Sequence, residues 1–131
     1  TTLYIVADKA TPSVVYALNT SNGSTRWSYT LDAASNSIPA VDNLGQIHLC
    51  TKTGDYVVLS AEGELRYKEP LAASVDGSPT ISEWGYSYFL GKDSAAGALK
   101  VYSVALPGVT SPAASAWSQY GQNARHSNYQ K

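Results

Sequence analysis

A repeat of about 40 residues constrains this chain more than any other feature. The segment "SIPAVDNLGQIHL" (37–49) lines up with "GSPTISEWGYSYF" (77–89): Pro39 with Pro79, Val41 with Ile81, Gly45 with Gly85 and Leu49 with Phe89, each 40 residues apart. The same spacing separates Gly23 from Gly63 and Trp27 from Tyr67, in "VVYALNTSNGSTRWSY" (14–29) and "YVVLSAEGELRY" (56–67). Leu18 and Leu59 are 41 apart, so one of the two turns carries an extra residue. A third, shorter phrase, "VYSVALPG" (101–108), again runs from apolar residues into a glycine turn.

Short runs of strand character fill the space between turn signals: 3–7, 13–19, 25–30, 38–42, 46–51, 55–60, 64–68, 78–82, 86–91 and 99–105. Val, Ile, Tyr, Thr and Trp suit the pleated surface of a sheet, and turns every eight to twelve residues are the mark of an all-β chain. No dozen-residue window holds a 3.6-residue apolar period, so no long helix is expected. Four strands per repeat of about 40 residues is the pattern of a β-propeller blade, which must stack on its neighbours to bury both faces. The expected architecture is therefore all-β, with about three blades of four antiparallel strands. The units cover 3–30 (lacking a first strand), 37–68 and 77–105 (its fourth strand blurred), followed by a tail at 106–131. Residues 1–131 form one partial propeller.

Charge and composition narrow the function classes. Nine basic and ten acidic residues give a net charge of −1, and neither sign forms a run, which argues against nucleic acid as a partner. No apolar segment approaches the roughly 20 residues that span a bilayer. The single cysteine, Cys50, excludes an internal disulfide, and a lone cysteine in "QIHLC" is expected to be a half-buried strand residue. His48 lies two residues away, on the same strand face. The group His48, Cys50, Lys52 and Asp55 lacks the spacing of a zinc site. Arg125 and His126 are placed in a polar tail.

The phrase Tyr16-Ala17-Leu18-Asn19, with Gly23 and Trp27, resembles the repeat of the pyrroloquinoline-quinone-type, or quinoprotein-like, β-propeller family. Val57, Leu59, Gly63 and Tyr67 follow it in the second copy; Ser78-Pro79, Gly85 and Val101-Tyr102 follow it in the third. The tail "SAWSQYGQNARHSN" (115–128) is similar to a segment that flanks such repeats in secreted bacterial proteins. The resemblance implies an inter-blade docking role for Trp27, Tyr67 and Trp117, and a location outside the cytoplasm, periplasmic or secreted. The family's dehydrogenases hold their quinone with a vicinal disulfide, a stacking Trp, a catalytic Asp and calcium-binding carboxylates. With one cysteine and no paired carboxylates at ligand spacing, this chain carries no such set. No catalytic, cofactor-binding or metal residue is assigned, and no cofactor is expected.

One stretch stands apart. "ISEWGYSYFL" (81–90) puts Trp84 at a hairpin tip where the preceding unit has Leu44, with Tyr86 and Tyr88 alternating onto one strand face. An exposed aromatic row of this kind suits a protein or glycan partner; the alternative, and the weightier of the two from the sequence, is that Trp84 packs on a neighbouring loop and that Tyr86 and Tyr88 line a blade interface. The expectation is a non-catalytic scaffold or binding surface. The alternative is a fragment of a quinone-dependent dehydrogenase whose catalytic blades lie elsewhere. Closed propellers have four to eight blades. The chain is therefore expected to be completed by further blades of a longer protein, as its C-terminal part, or by a second copy.

Overall fold

The computed structural model describes residues 1–8 and 11–114. Among them are ten strands: β1 (Thr2–Ala7), β2 (Val14–Asn19), β3 (Thr25–Thr30), β4 (Ala40–Val41), β5 (Ile47–Cys50), β6 (Asp55–Leu59), β7 (Leu65–Pro70), β8 (Thr80–Ile81), β9 (Ser87–Lys92) and β10 (Leu99–Val104). They fall on the ten runs read from the sequence, and no helix occurs among the described residues. Pairing is antiparallel throughout, in three sheets ordered β1-β2-β3, β4-β5-β6-β7 and β8-β9-β10. These are propeller-type blades: the second has all four strands, the first lacks the innermost and the third lacks the outermost among the described residues.

The repeat reappears as register. Ala17 pairs with Trp27, and Val58 with Tyr67; each ladder then slips at the next residue. Leu18 pairs with Thr25 but Leu59 with Leu65, so the first turn is one residue longer, and this accounts for the change of offset from 41 to 40. Repeat-related residues also meet. Asn36 donates to Asp76 Oδ1 at 2.7 Å, and the Ile38 amide donates to Ser78 Oγ at 2.7 Å, each pair 40 apart.

Burial patterns show how the sheets stack. Strand β2 alternates on one face and β9 reads buried–exposed throughout, whereas all four residues of β5 are buried. The second sheet lies between the other two. Ile47, Leu49, Val57 and Leu59 join Val15 and Leu31 in one cluster, with Tyr4, Val6, Trp27 and Tyr29 against it. Cys50, Tyr56 and Val58 point the other way and join Val75, Phe89 and Val104. A strand side chain changes face at each residue, so a strand covered on both sides loses its polar alternation. Cys50 is therefore 2% exposed rather than half-buried.

Buried serines lace the first two sheets together. Ser35 and Ser37 are 0% and 3% exposed. Ser35 Oγ donates to the Cys50 carbonyl at 2.6 Å, the Ser35 amide donates to Ser13 Oγ, and the Cys50 amide donates to Ser37 Oγ. A small hydroxyl satisfies backbone groups where a larger side chain would hold the sheets apart.

Among the described residues, the chain after β10 does not form a strand beside it. Residues beyond the Gly108 turn return to β4: the Asn43 amide donates to the Ser111 carbonyl, and the Ala113 amide donates to the Val41 carbonyl. Asn43 Oδ1 accepts from the Thr110 amide at 2.9 Å, and its Nδ2 donates to the Gly108 carbonyl. The open edge of β4 is thereby covered. Gly85 has φ +81°, and a Cβ there would stand 2.3 Å from the Val109 carbonyl oxygen, so glycine is required by the turn and by the passing chain alike.

Candidate functional site

Two features concentrate the chemistry of the molecule: a sealed polar chain between the second and third sheets, and an exposed aromatic turn on the third.

The polar chain starts at Asp42, which ends β4 and turns the backbone toward β5. Its Oδ1 accepts from the amides of Leu44 and Gln46, at 2.8 and 2.9 Å. Its Oδ2 accepts from Gln46 Nε2 at 2.9 Å and lies 2.8 Å from His48 Nε2. His48 Nδ1 lies 2.7 Å from the Tyr56 hydroxyl, which donates across the sheet gap to Ser87 Oγ at 2.7 Å. Exposure of the four is 0%, 1%, 0% and 2%, so no substrate atom reaches them. A histidine–carboxylate pair with a serine at the far end has the components of nucleophilic catalysis. Here a tyrosine separates them and the whole set is shut in. What it does is join two sheets by hydrogen bonds that a low-dielectric interior strengthens. Around it Tyr56 stacks on Phe89 at 5.4 Å and Phe89 on Tyr102 at 5.1 Å.

Burial by itself pushes the Asp42 carboxyl up. The His48 hydrogen bond, the Gln46 amide and the His48 charge outweigh it, and the carboxyl sits below its ordinary value of 3.8. Tyr56 is raised well above 10.0, by burial first, with only the Ser87 bond opposing. The signs give opposite flanks. A lowered carboxylate contributes stability above the unfolded value, and this is lost as pH falls through the folded one. A raised phenol contributes below its unfolded value, and this is lost as pH rises past it. The melting temperature is therefore expected to be level near neutrality and to fall below about pH 4 and above about pH 10. Tyr56→Phe should flatten part of the alkaline flank in a calorimetric pH series; an unchanged alkaline flank would remove Tyr56 from the account.

Cys50 and His48 do not form a reactive pair. Burial pushes the Cys50 thiol up to about 12, which leaves it protonated at neutral pH, and the thiolate is the nucleophile. Both ring nitrogens of His48 are engaged elsewhere. Lys52 lines a cleft of about 450 Å³ with Asn36, Ser74, Val75, Asp76 and Lys92. Asp55 instead turns back to the Thr51 and Thr53 hydroxyls at 3.5 Å. Among the described residues no three His, Cys, Asp or Glu side chains gather as a metal site.

The aromatic turn is open. Trp84 is 79% exposed, Tyr86 46% and Tyr88 41%. The β8–β9 hairpin presents Trp84 at its tip because Ser82, Gly85 and Tyr86 close the turn around it: the Gly85 amide donates to the Ser82 carbonyl and the Tyr86 amide to Ser82 Oγ. Tyr86 and Tyr88 share a face while Ser87, between them, turns inward to Tyr56.

Trp27 reaches from β3 to the second sheet. Its indole Nε1 donates to the Ala61 carbonyl at 2.8 Å, in the β6–β7 turn. Its ring lies 5.8 Å from Tyr4 and directly over Gly63, where a Cβ would come within 2.6 Å of Cδ2. Tyr67 packs at the next gap, 6.2 Å from Tyr56. Trp117, Arg125 and His126 lie outside the described residues.

Sequence reasoning noticed His48 but missed Asp42, Tyr56 and Ser87. One signal was available. Ser87 interrupts the apolar alternation of β9 at an inward position, and an inward polar group needs a partner.

No family model matches the sequence, and no curated protein matches it. Among solved structures the chain is similar to BamB from Moraxella catarrhalis, at 20% identity and a TM-score of 0.47, over 83% of this chain and 39% of that one. The chain thus spans well under half the length of that structure.

Proposed function

We propose that this chain is a non-catalytic segment of a quinoprotein-like propeller that binds protein outside the cytoplasm. The exposed Trp84 turn carries the reading, because a large aromatic that is 79% exposed at the tip of a hydrogen-bonded hairpin is the kind of residue that anchors protein interfaces. The repeat phrases at Tyr16–Asn19 and Trp27 support the family, and the resemblance of the tail to segments of secreted bacterial proteins supports the location. The sealed Asp42–His48–Tyr56–Ser87 chain is in keeping with a scaffold rather than an enzyme.

Trp84 emission is the test. A synthetic peptide of alternating aromatic and polar residues is titrated into the protein, alongside maltohexaose and chitohexaose. The peptide is expected to shift the emission to the blue saturably, and Trp84→Ala to abolish the shift; no response to the peptide, or a response to the sugars alone, overturns protein binding. Pyrroloquinoline quinone with calcium is expected not to bind. Saturable micromolar binding would transfer the chain to the dehydrogenase reading.

A further inference from the structure

The described lysines divide in two. Lys68 is paired with Asp32 and Lys100 with Asp93. Lys52 and Lys92 have no ion-pair or hydrogen-bond partner for their ammonium groups among the described residues. These two are 40 apart in sequence and hold the same seat in successive sheets. The Lys52 amide donates to the Ala34 carbonyl at 2.8 Å and the Lys92 amide to the Ser74 carbonyl at 2.9 Å, and the two acceptors are also 40 apart. One stretch of chain ties both seats together. The Val75 amide donates to the Lys52 carbonyl at 3.4 Å, and the Ala73 amide to the Lys92 carbonyl at 2.8 Å. The two lysine backbones thus lie on either side of residues 73–75, about 10 Å apart at two strand spacings.

Both side chains line the cleft of about 450 Å³. Val75, 4% exposed, roots that lining in the cluster between the second and third sheets. Asp76 lines it too. Its Oδ1 accepts from Asn36 Nδ2 at 2.7 Å, which leaves Oδ2 without a partner among the described residues. The cleft therefore holds two unneutralised cations and one carboxylate oxygen free to accept. Like charges in a cleft gather counter-ions, and a volume of this size takes in a small molecule. A plain anion would satisfy the lysines but face Asp76 unfavourably; a ligand that also carries a donor suits all three. We propose that this cleft binds a small dicarboxylate bearing an amino or hydroxyl group, its carboxylates on Lys52 and Lys92 and its donor on Asp76. Lys92 ends β9, whose other end follows the Trp84 turn. The cleft thus lies at the opposite edge of the sheets, and its test is independent of that of partner binding.

The 131-residue chain is titrated with L-aspartate, L-malate, succinate and inorganic phosphate at low salt, where the lysine charges are least screened. The amide resonances of Lys52, Asp76 and Lys92 are followed. L-Aspartate and L-malate are expected to shift them saturably. Succinate, which lacks the donor, should bind about tenfold more weakly, the worth of one hydrogen bond to a charged group. Lys52→Gln and Lys92→Gln should each weaken L-aspartate binding by about tenfold or more on the same ground, with an unchanged far-ultraviolet spectrum. Asp76→Asn should narrow the gap between L-aspartate and succinate, and Lys100→Gln should change nothing. No saturable shift with either donor-bearing acid, phosphate binding as tightly as L-aspartate, or an equal loss in Lys100→Gln would each overturn the proposal. So would a hexaglutamate peptide that shifts these amides where the free acids do not, since it would put a protein segment in the cleft.

Discussion

Asp42→Ala is expected to lower stability by about 3–5 kcal/mol, the range for removing one partner of a buried pair. The carboxylate accepts four hydrogen bonds, and its loss removes the partner of two part-buried turn amides, of the Gln46 side chain and of the fully buried His48 ring. An unsatisfied buried donor forfeits its full hydration. For a single domain holding about 5–15 kcal/mol, that brings the chain near unfolding. Asp42→Asn keeps the shape and part of the hydrogen bonding, so it should fall between Ala and wild type. Ser87→Ala should cost about 1–3 kcal/mol, since only the Tyr56 hydroxyl loses a partner across the sheets. Urea unfolding of the three variants checks the order. Equal losses would mean that the chain of hydrogen bonds does not act as drawn.

Trp27→Ala is the second large effect, about 3–5 kcal/mol, in the range for truncating a packed aromatic. The indole contributes contact with Tyr4 and the cluster between the first two sheets, and one hydrogen bond to Ala61. In a chain of this length the loss should lower the melting temperature by on the order of 10–20 °C. Trp27→Phe separates the parts: a ring remains over Gly63, while the Ala61 carbonyl loses its donor, at about 1 kcal/mol. A melting temperature within a degree or two of wild type for Trp27→Ala would sink the docking role. The measurement is straightforward by circular dichroism, with Tyr67→Ala as the equivalent probe of the next gap.

The fold was legible because its signals are local. The glycines at 23, 45, 63 and 85 all have positive φ, and they punctuate runs whose composition already favours strands. A repeat offset reports that neighbouring units have the same build. Trp84 was legible as a hairpin-tip residue for a similar reason, but its exposure was not, because packing against a neighbouring loop was the weightier reading from the sequence and only the structure leaves the indole 79% exposed.

The sealed polar chain was not legible, and the reason is distance along the sequence. Tyr56 and Ser87 are 31 residues apart, and their hydroxyls meet only because two sheets stack. Asp42 looked like a turn residue, which it is, but the same carboxylate also holds a histidine. The strand of Cys50 looked half-buried because periodicity cannot tell one covered face from two. The contact of the chain after β10 with another sheet was not legible either: three hydrogen bonds with the Asn43 side chain tie Gly108, Thr110 and Ser111 to the edge of the second sheet.

The sequence by itself determined the strands, the turns between them, the 40-residue unit and the aromatic tip, all set by steric preference and side-chain alternation over a few residues. Only the tertiary structure decided which faces are covered, which polar groups are sealed together, and that Lys52 and Lys92 share one cleft. Those outcomes depend on the stacking of whole sheets, where the free energy of a side chain is set by neighbours that lie a repeat away.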